Sequence, residues 1–223
     1  MTSVDLQAVH DTLVAVAFEA GRMIMAANPS SFSTKANAVD IVTETDQAVE
    51  RMVSARLRAA YPSFLFVGEE TYQAGITKIT TAPTFVVDPI DGTTNFVHAF
   101  PNACISLGLV VDRTPAVGVV YNPFQDLLFT GCKGRDAALN LCACAAGQLD
   151  MYWEGGCYAW DVAAGWCILN EAGGRIVSGN PGEWETALDS RVYLAVRGAS
   201  SGQKELVEEF WDVIGDGKMD YKH

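Results

Sequence analysis

An apolar run that ends in two closely spaced acids constrains this chain more than any other feature. Phe85-Val86-Val87 leads into Asp88-Pro89-Ile90-Asp91-Gly92-Thr93-Thr94-Asn95-Phe96-Val97-His98. Such a run reads as a buried strand. A strand that ends in Asp-x-x-Asp and then turns at Gly-Thr-Thr points two carboxylates at one spot. Hard cations such as Mg²⁺ take oxygen ligands, commonly one or two carboxylates plus substrate phosphate. Pro89 fixes the backbone between the acids and lets the Ile90 carbonyl turn inward. Gly92 permits close approach of a ligand, and Thr93 and Thr94 offer hydroxyls and N–H groups to an anion. Asp91-Gly92 alone is an ordinary turn signal; the full string with its strand lead-in is far more specific.

The rest of the chain alternates helix and strand signals. Apolar residues at helical spacing predict a helix from about Val4 to Ala27, with Ser3 as N-cap and Pro29 beyond its end. Val39 to Thr43 reads as a short strand. A second helix is expected from Asp46 to Ala60, capped by Thr45. Strands are expected at Phe64–Val67, Phe85–Val87, Ile105–Val111, Val117–Tyr121, Leu127–Thr130, Met151–Trp153, Arg175–Val177 and Val192–Val196. Helices are expected at Ala137–Ala146, Asp161–Ala172 and Gly202–Val213, with Gly173-Gly174 as a stop. No repeat or low-complexity linker interrupts the pattern. The fold class is a layered α/β or α+β chain, organised as one domain over 1–223: 1–135 carries the motif, and 136–223 is a C-terminal half.

Acids recur at element ends. Glu69 follows Phe64–Val67, Asp88 and Asp91 follow Phe85–Val87, and Asp161 opens a helix. A carboxylate at a helix start is as often only a cap, and Glu69 and Glu70 taken singly read as surface residues. Together the four acids suit a phosphoryl site with two ions about 3.5–4 Å apart. The positive end of the Asp161 helix favours a phosphate nearby.

Four blocks resemble the inositol monophosphatase family. They are Gly68-Glu69-Glu70, the Asp88–His98 string, Trp160-Asp161-Val162-Ala163-Ala164-Gly165 followed by Glu171-Ala172-Gly173-Gly174, and, more weakly, Val39–Asp46. Phe96-Val97-His98 is similar to the inositol-monophosphate branch rather than to bisphosphatases. The resemblance implies alternating helix and sheet layers and direct hydrolysis of a phosphate ester, with Li⁺ inhibition common. It implies Mg²⁺, two or three ions: Glu69, Asp88 and the Ile90 carbonyl around one, and Asp88, Asp91 and Asp161 around another. Glu69 and Thr93 would activate water, with Asp91 in the catalytic set. Gly92, Thr93 and Thr94 would hold phosphate. Glu154, Ala137 and Asp161 would line the substrate pocket, and Lys35 and Asp46 would stand in the outer shell. The implied partners are a small phosphorylated polyol and a second subunit, the homodimer depending on whether the interface survives the gap described next.

The resemblance breaks at one place. Family members carry a strand-helix-strand stretch between Lys133-Gly134-Arg135 and Ala137-Ala138-Leu139-Asn140, whereas here Arg135-Asp136 joins the flanks. Roughly 60–70 residues are absent, which makes 223 short for the fold. The unit contributes sheet strands, part of the dimer contact and pocket residues, and its loss exposes apolar surface and strand edges.

Composition excludes other classes. A formal net charge of −12 argues against a nucleic-acid partner. The six cysteines lie in apolar segments and read as buried hydrophobes rather than a disulfide framework or a zinc site. No basic leader precedes the first apolar stretch and no run is long enough to span a bilayer, so the expectation is a cytoplasmic protein without a membrane partner. His98 packs beside the motif loop, with no catalytic role. Trp153, Tyr158, Trp160 and Trp166 read as core and pocket wall, and Cys157 as a candidate border of the substrate. Three functions compete: an inositol monophosphate phosphatase, a phosphatase for another small ester, sugar- or quinate-linked, and a silent family member impaired by the gap.

Overall fold

A computed structural model describes residues 4–27, 35–74, 76–132, 140–215 and 217–221, with the backbone alone for 35–42. The elements run α1 (Leu6–Ala26), α2 (Lys35–Ala60), β1 (Leu65–Gly68), β2 (Thr84–Asp91), α3 (Thr93–Val97), β3 (Cys104–Val111), β4 (Thr114–Asn122), β5 (Leu127–Cys132), α4 (Asn140–Ala145), β6 (Met151–Gly155), α5 (Ala159–Glu171), β7 (Arg175–Ser178), β8 (Val192–Val196) and α6 (Gln203–Ile214). Strands β1 to β5 form one sheet in sequence order. Within it β1 is parallel to β2 and the later pairs are antiparallel. A second, antiparallel sheet has the order β6-β8-β7.

Strand periodicity sorts the layers. Side chains alternate across a strand, so Phe85 and Val87 join Val9, Leu13, Val53 and Leu57 between the sheet and α1/α2. Val86 faces the other way, toward Trp160 and Ala163 of α5. In β8, Tyr193 and Ala195 meet that same middle layer, while Leu194 and Val196 pack on Val207 and Trp211 of α6. The order is therefore α1/α2, five strands, α4/α5, three strands, α6: an α+β layered fold. Helix α5 lies between two sheets and is apolar on nearly every side, as a helix without a solvent face must be. Gly118 faces it so closely that a methyl group there would collide with the Ala164 carbonyl.

Several expectations change. The strand expected at Val39–Thr43 is part of α2, and Thr45 is interior to that helix rather than its cap. No glycine or proline breaks Lys35–Ala60, and β-branched residues lower helix propensity by only a few tenths of a kcal/mol each. Ser3 lies outside the described residues; the α1 N-cap is Asp5, whose carboxylate accepts from Ala8 N–H at 3.0 Å. Strand β2 does not stop at Val87 but continues through Asp91, with a register shift against β3 between Asp88 and Asp91. Helix α5 starts two residues before Asp161, at Ala159. Of the helix expected at Ala137–Ala146, the first three residues fall outside the described ones. Gly173 does supply the α5 stop, at φ 77°.

Candidate active site

Three elements bring acids together. Strand β1 ends at Gly68, and Glu69 N–H then donates to Val87 O at 3.1 Å, which sets Glu69 beside β2. Asp88 sits in mid-strand at 2% exposure. Asp161 lies in the first turn of α5, and its carboxylate accepts from Tyr158 N–H. Ser106 Oγ donates to Trp160 O at 3.2 Å, tying the start of α5 to β3. Glu69, Asp91 and Asp161 all lie close enough to Asp88 to repel its charge. Asp91 opens onto the cleft, with Cys104 Sγ at 3.6 Å from its Oδ2.

Burial and mutual repulsion raise the affinity of these groups for protons. Burial pushes Asp161 up to about 7, with Asp91 and Glu69 adding to the shift. It pushes Asp88 well above the carboxylate range, helped by Asp91, Glu69, Asp161 and Asp46. Asp91 and Glu69 are raised for the same first reason. Carboxyls this close must share protons or a cation.

A second row of acids stands behind. Asp46, at 5% exposure, is pushed up to about 8, first by burial and then by Glu70, Glu69 and Glu50. Glu50, at 2% exposure, accepts from Glu70 N–H at 2.8 Å. Its carboxyl lies against Gly68, where any side chain would collide with it. The sequence reading missed Glu50; its signal was the four-residue spacing from Asp46, which puts both on one face of a helix.

The motif loop closes the site's near side. Gly92 adopts φ 84°, and a side chain there would press on Asn102 O. Thr93 Oγ1 donates to Ile90 O at 3.0 Å. Asn95 Nδ2 donates to Asn102 O at 2.8 Å, fixing the loop. His98 ends α3 and is exposed.

A cleft of about 500 Å³ opens from Asp91, Gly92 and Asp161 to Glu154 on β6, and Cys157 borders it. Glu154 accepts from Tyr152 O–H. Tyr152 and Asn140 also line the cleft and were not singled out from sequence. Ala137 lies outside the described residues, as does the Lys35 side chain. Trp153, on β6, instead donates to Gly179 O at 3.0 Å.

The residues fit a hard cation. Every side-chain donor is oxygen, as Mg²⁺ requires. Asp88 Oδ1, Asp46 Oδ1 and Glu50 Oε1 are buried and have no hydrogen-bond partner, a costly arrangement without a compensating charge. Among the described residues no three acids, histidines or cysteines are already drawn into a cage.

Comparison with known proteins places the chain. The model of the "Inositol monophosphatase family" matches residues 5–140 and 135–214, two segments that meet at the Arg135–Asn140 junction. "Inositol monophosphatase 2" of Saccharomyces cerevisiae is 42% identical over 260 residues, covering 87% of this chain and 89% of that protein. Since 87% of 223 residues is about 194, about 66 aligned positions have no residue here. "Quinic acid degradation cluster protein x" of Neurospora crassa is 32% identical, covering 94% of each chain. Among solved structures, the inositol monophosphatase of Anabaena (Nostoc) sp. superposes with a TM-score of 0.77 at 25% identity, covering 94% of this chain and 97% of that one.

Proposed function

The chain belongs to the inositol monophosphatase family and is a phosphatase, and we propose that it hydrolyses an inositol monophosphate to inositol and phosphate with the help of Mg²⁺. The observation that carries this reading is the gathering of Glu69, Asp91 and Asp161 around the buried Asp88 at the head of the cleft. Glu69, Asp88, Asp91, Asp161 and the Ile90 carbonyl are the groups that would hold the cations. When bound, Mg²⁺ neutralises phosphate charge and lowers the pKa of water.

The chain's own groups do the rest. Glu69 takes a proton from the attacking water as general base. Thr93, anchored on Ile90 O, orients that water through its hydroxyl oxygen. The N–H groups of Gly92, Thr93 and Thr94 donate to phosphate oxygens. Glu154 accepts from hydroxyls of the leaving polyol across the cleft. By the family resemblance, Ala137 would also contact the substrate. A bound cation would favour the charged form of these acids and offset the charge of the substrate phosphate.

Mg²⁺-dependent phosphate release from inositol 1-phosphate by the purified protein tests the reading. Release that needs Mg²⁺ and falls in the Asp88→Asn variant supports it; release that is indifferent to both rejects it. A second reading rests on the Neurospora relative and its quinic-acid name: the substrate is then another cyclic polyol phosphate. Quinate and shikimate phosphates run beside inositol 1-phosphate, with the higher kcat/KM naming the substrate. A protein that binds Mg²⁺ but turns over none of these would be the silent family member, in which the junction has cost activity.

A further inference from the structure

A second cavity, of about 620 Å³, lies on the other side of the first turn of α5. None of the groups given a part in hydrolysis lines it. Its walls are Tyr72, Tyr158, Trp160 and Trp166, and its basic residues are Lys78, Arg113 and Arg191. Three of the 15 basic residues of a chain with net charge −12 thus gather at one hollow. Lys78 and Arg113 are exposed.

Arg191 is the informative member. It is 9% exposed, and among the described residues no carboxylate stands within ion-pair distance of it. Asp189, also on the lining, is exposed and does not pair with it. One guanidinium nitrogen donates to Gly156 O, whereas Nε is buried with no partner. The guanidinium lies 3.9 Å above the Tyr158 ring centroid. That ring stacks on Trp160 at 4.6 Å with 9° between planes, and Tyr72 leans on Trp160 at 4.8 Å. A buried cation lacks a counter-charge at the end of an aromatic ladder. Apolar walls with a few converging polar groups are the usual make-up of a small-molecule site, and a buried charge is held at lowest cost when an anion meets it.

We propose that this cavity binds a small planar aromatic carboxylate, its ring among the Tyr72, Trp160 and Trp166 side chains and its anion facing Arg191, with Lys78 and Arg113 at the mouth. Guanidinium presents a planar fork that matches a carboxylate. The proposal does not depend on which ester the catalytic cleft hydrolyses.

The probe is 2-naphthoate, titrated into the full chain by calorimetry and by quenching of tryptophan fluorescence, with Mg²⁺ and inorganic phosphate present to fill the catalytic cleft. Saturable binding with Kd below about 1 mM is expected, and the neutral 2-naphthalenemethanol should bind about tenfold more weakly or worse. Arg191→Lys keeps the charge but loses the fork, and should weaken the acid more than the alcohol. Because Arg191 is buried, the exposed pair Lys78→Ala/Arg113→Ala provides a variant whose folding is not at stake; it should weaken naphthoate about threefold and steepen no other property. Any of four results overturns the proposal: no saturation, equal affinity for acid and alcohol, indifference to the Lys78/Arg113 pair, or displacement of naphthoate by inositol 1-phosphate.

Discussion

In the five-stranded sheet, Asp88 stands 2% exposed in mid-strand with an unpartnered oxygen, and Asp46 and Glu50 lie buried behind it. In the three-stranded sheet and its flanks, apart from Arg191, charges pair at the surface: Arg197 with Asp150 at 2.6 Å, and Lys218 with Glu183. The first region concentrates like charges where water is scarce, which opposes folding. The second spends its charges on exposed pairs worth little. The two also differ in cover. The five-stranded sheet is packed on both faces, whereas among the described residues β6 pairs with β8 alone and every residue of it is half-buried. Glu154 sits on that edge strand, just past the junction where relatives carry more chain. The acids proposed for catalysis therefore stand on or against the sheet covered on both faces, and the proposed substrate contact on the less covered edge strand. Stability and activity should separate along that line.

The largest expected effect breaks the comparison if it fails. Asp88→Asn should cut kcat by about a thousandfold or more, roughly 4 kcal/mol of transition-state stabilisation. It should also raise the melting temperature of the metal-free protein, because a buried unpaired carboxylate is removed. A variant that keeps more than about a tenth of kcat at saturating Mg²⁺ would remove Asp88 from the site. Thr93→Ala comes next. A contact made mainly in the transition state lowers kcat, here about 10–100-fold, with little change in KM. Steady-state kinetics with unchanged kcat would take Thr93 out of the mechanism.

A pH series sharpens the contrast between buried and paired charges. Asp161 is pushed up to about 7 and Asp46 to about 8 from an ordinary 3.8, burial being the largest cause in both. Their folded-state affinity for protons exceeds the unfolded one. Below an ordinary carboxylate pKa their contribution to stability is fully present; between there and about pH 7–8 unfolding releases protons, and stability falls as pH rises. Melting of the metal-free protein should fall over this window, and the gain in melting temperature from added Mg²⁺ should grow with pH. A flat metal-free curve would mean that the acids do not repel one another. Smaller effects test the layers. Gly118→Ala pushes a methyl against the Ala164 carbonyl, and overpacking of this kind costs about 1–3 kcal/mol; since it shifts α5, which carries Asp161, denaturant melts and kcat should both drop. Lys218→Ala breaks only an exposed pair and should change stability by less than about 1 kcal/mol, with kcat untouched.

Much of the fold was legible because local patterns decided it. Val192–Val196 is one continuous apolar run, and β8 has those bounds. Gly173-Gly174 stopped a helix because only a residue free to take positive φ closes it this way. Val39–Thr43 misled because its β-branched residues favour a strand locally, while the unbroken chain from Lys35 to Ala60 propagates a helix through them. Site residues were legible where motif and element coincide, as at Asp88 and Asp91. Glu50 and Ser106 were not, because each matters through a neighbour distant in sequence: Glu70 N–H and Trp160 O.

The sequence by itself determined the family, the layered fold class and the four acids, since these follow from residue type, spacing and apolar period. Tertiary structure alone decided that Asp88 is the hub of the acids, that Glu50 stands behind Gly68, and that Arg191 is buried with no counter-charge among the described residues. Burial and pairing depend on what the chain brings near from far away, and proton affinity follows burial and pairing. Period-two alternation says which face a side chain takes, but not what waits across from it.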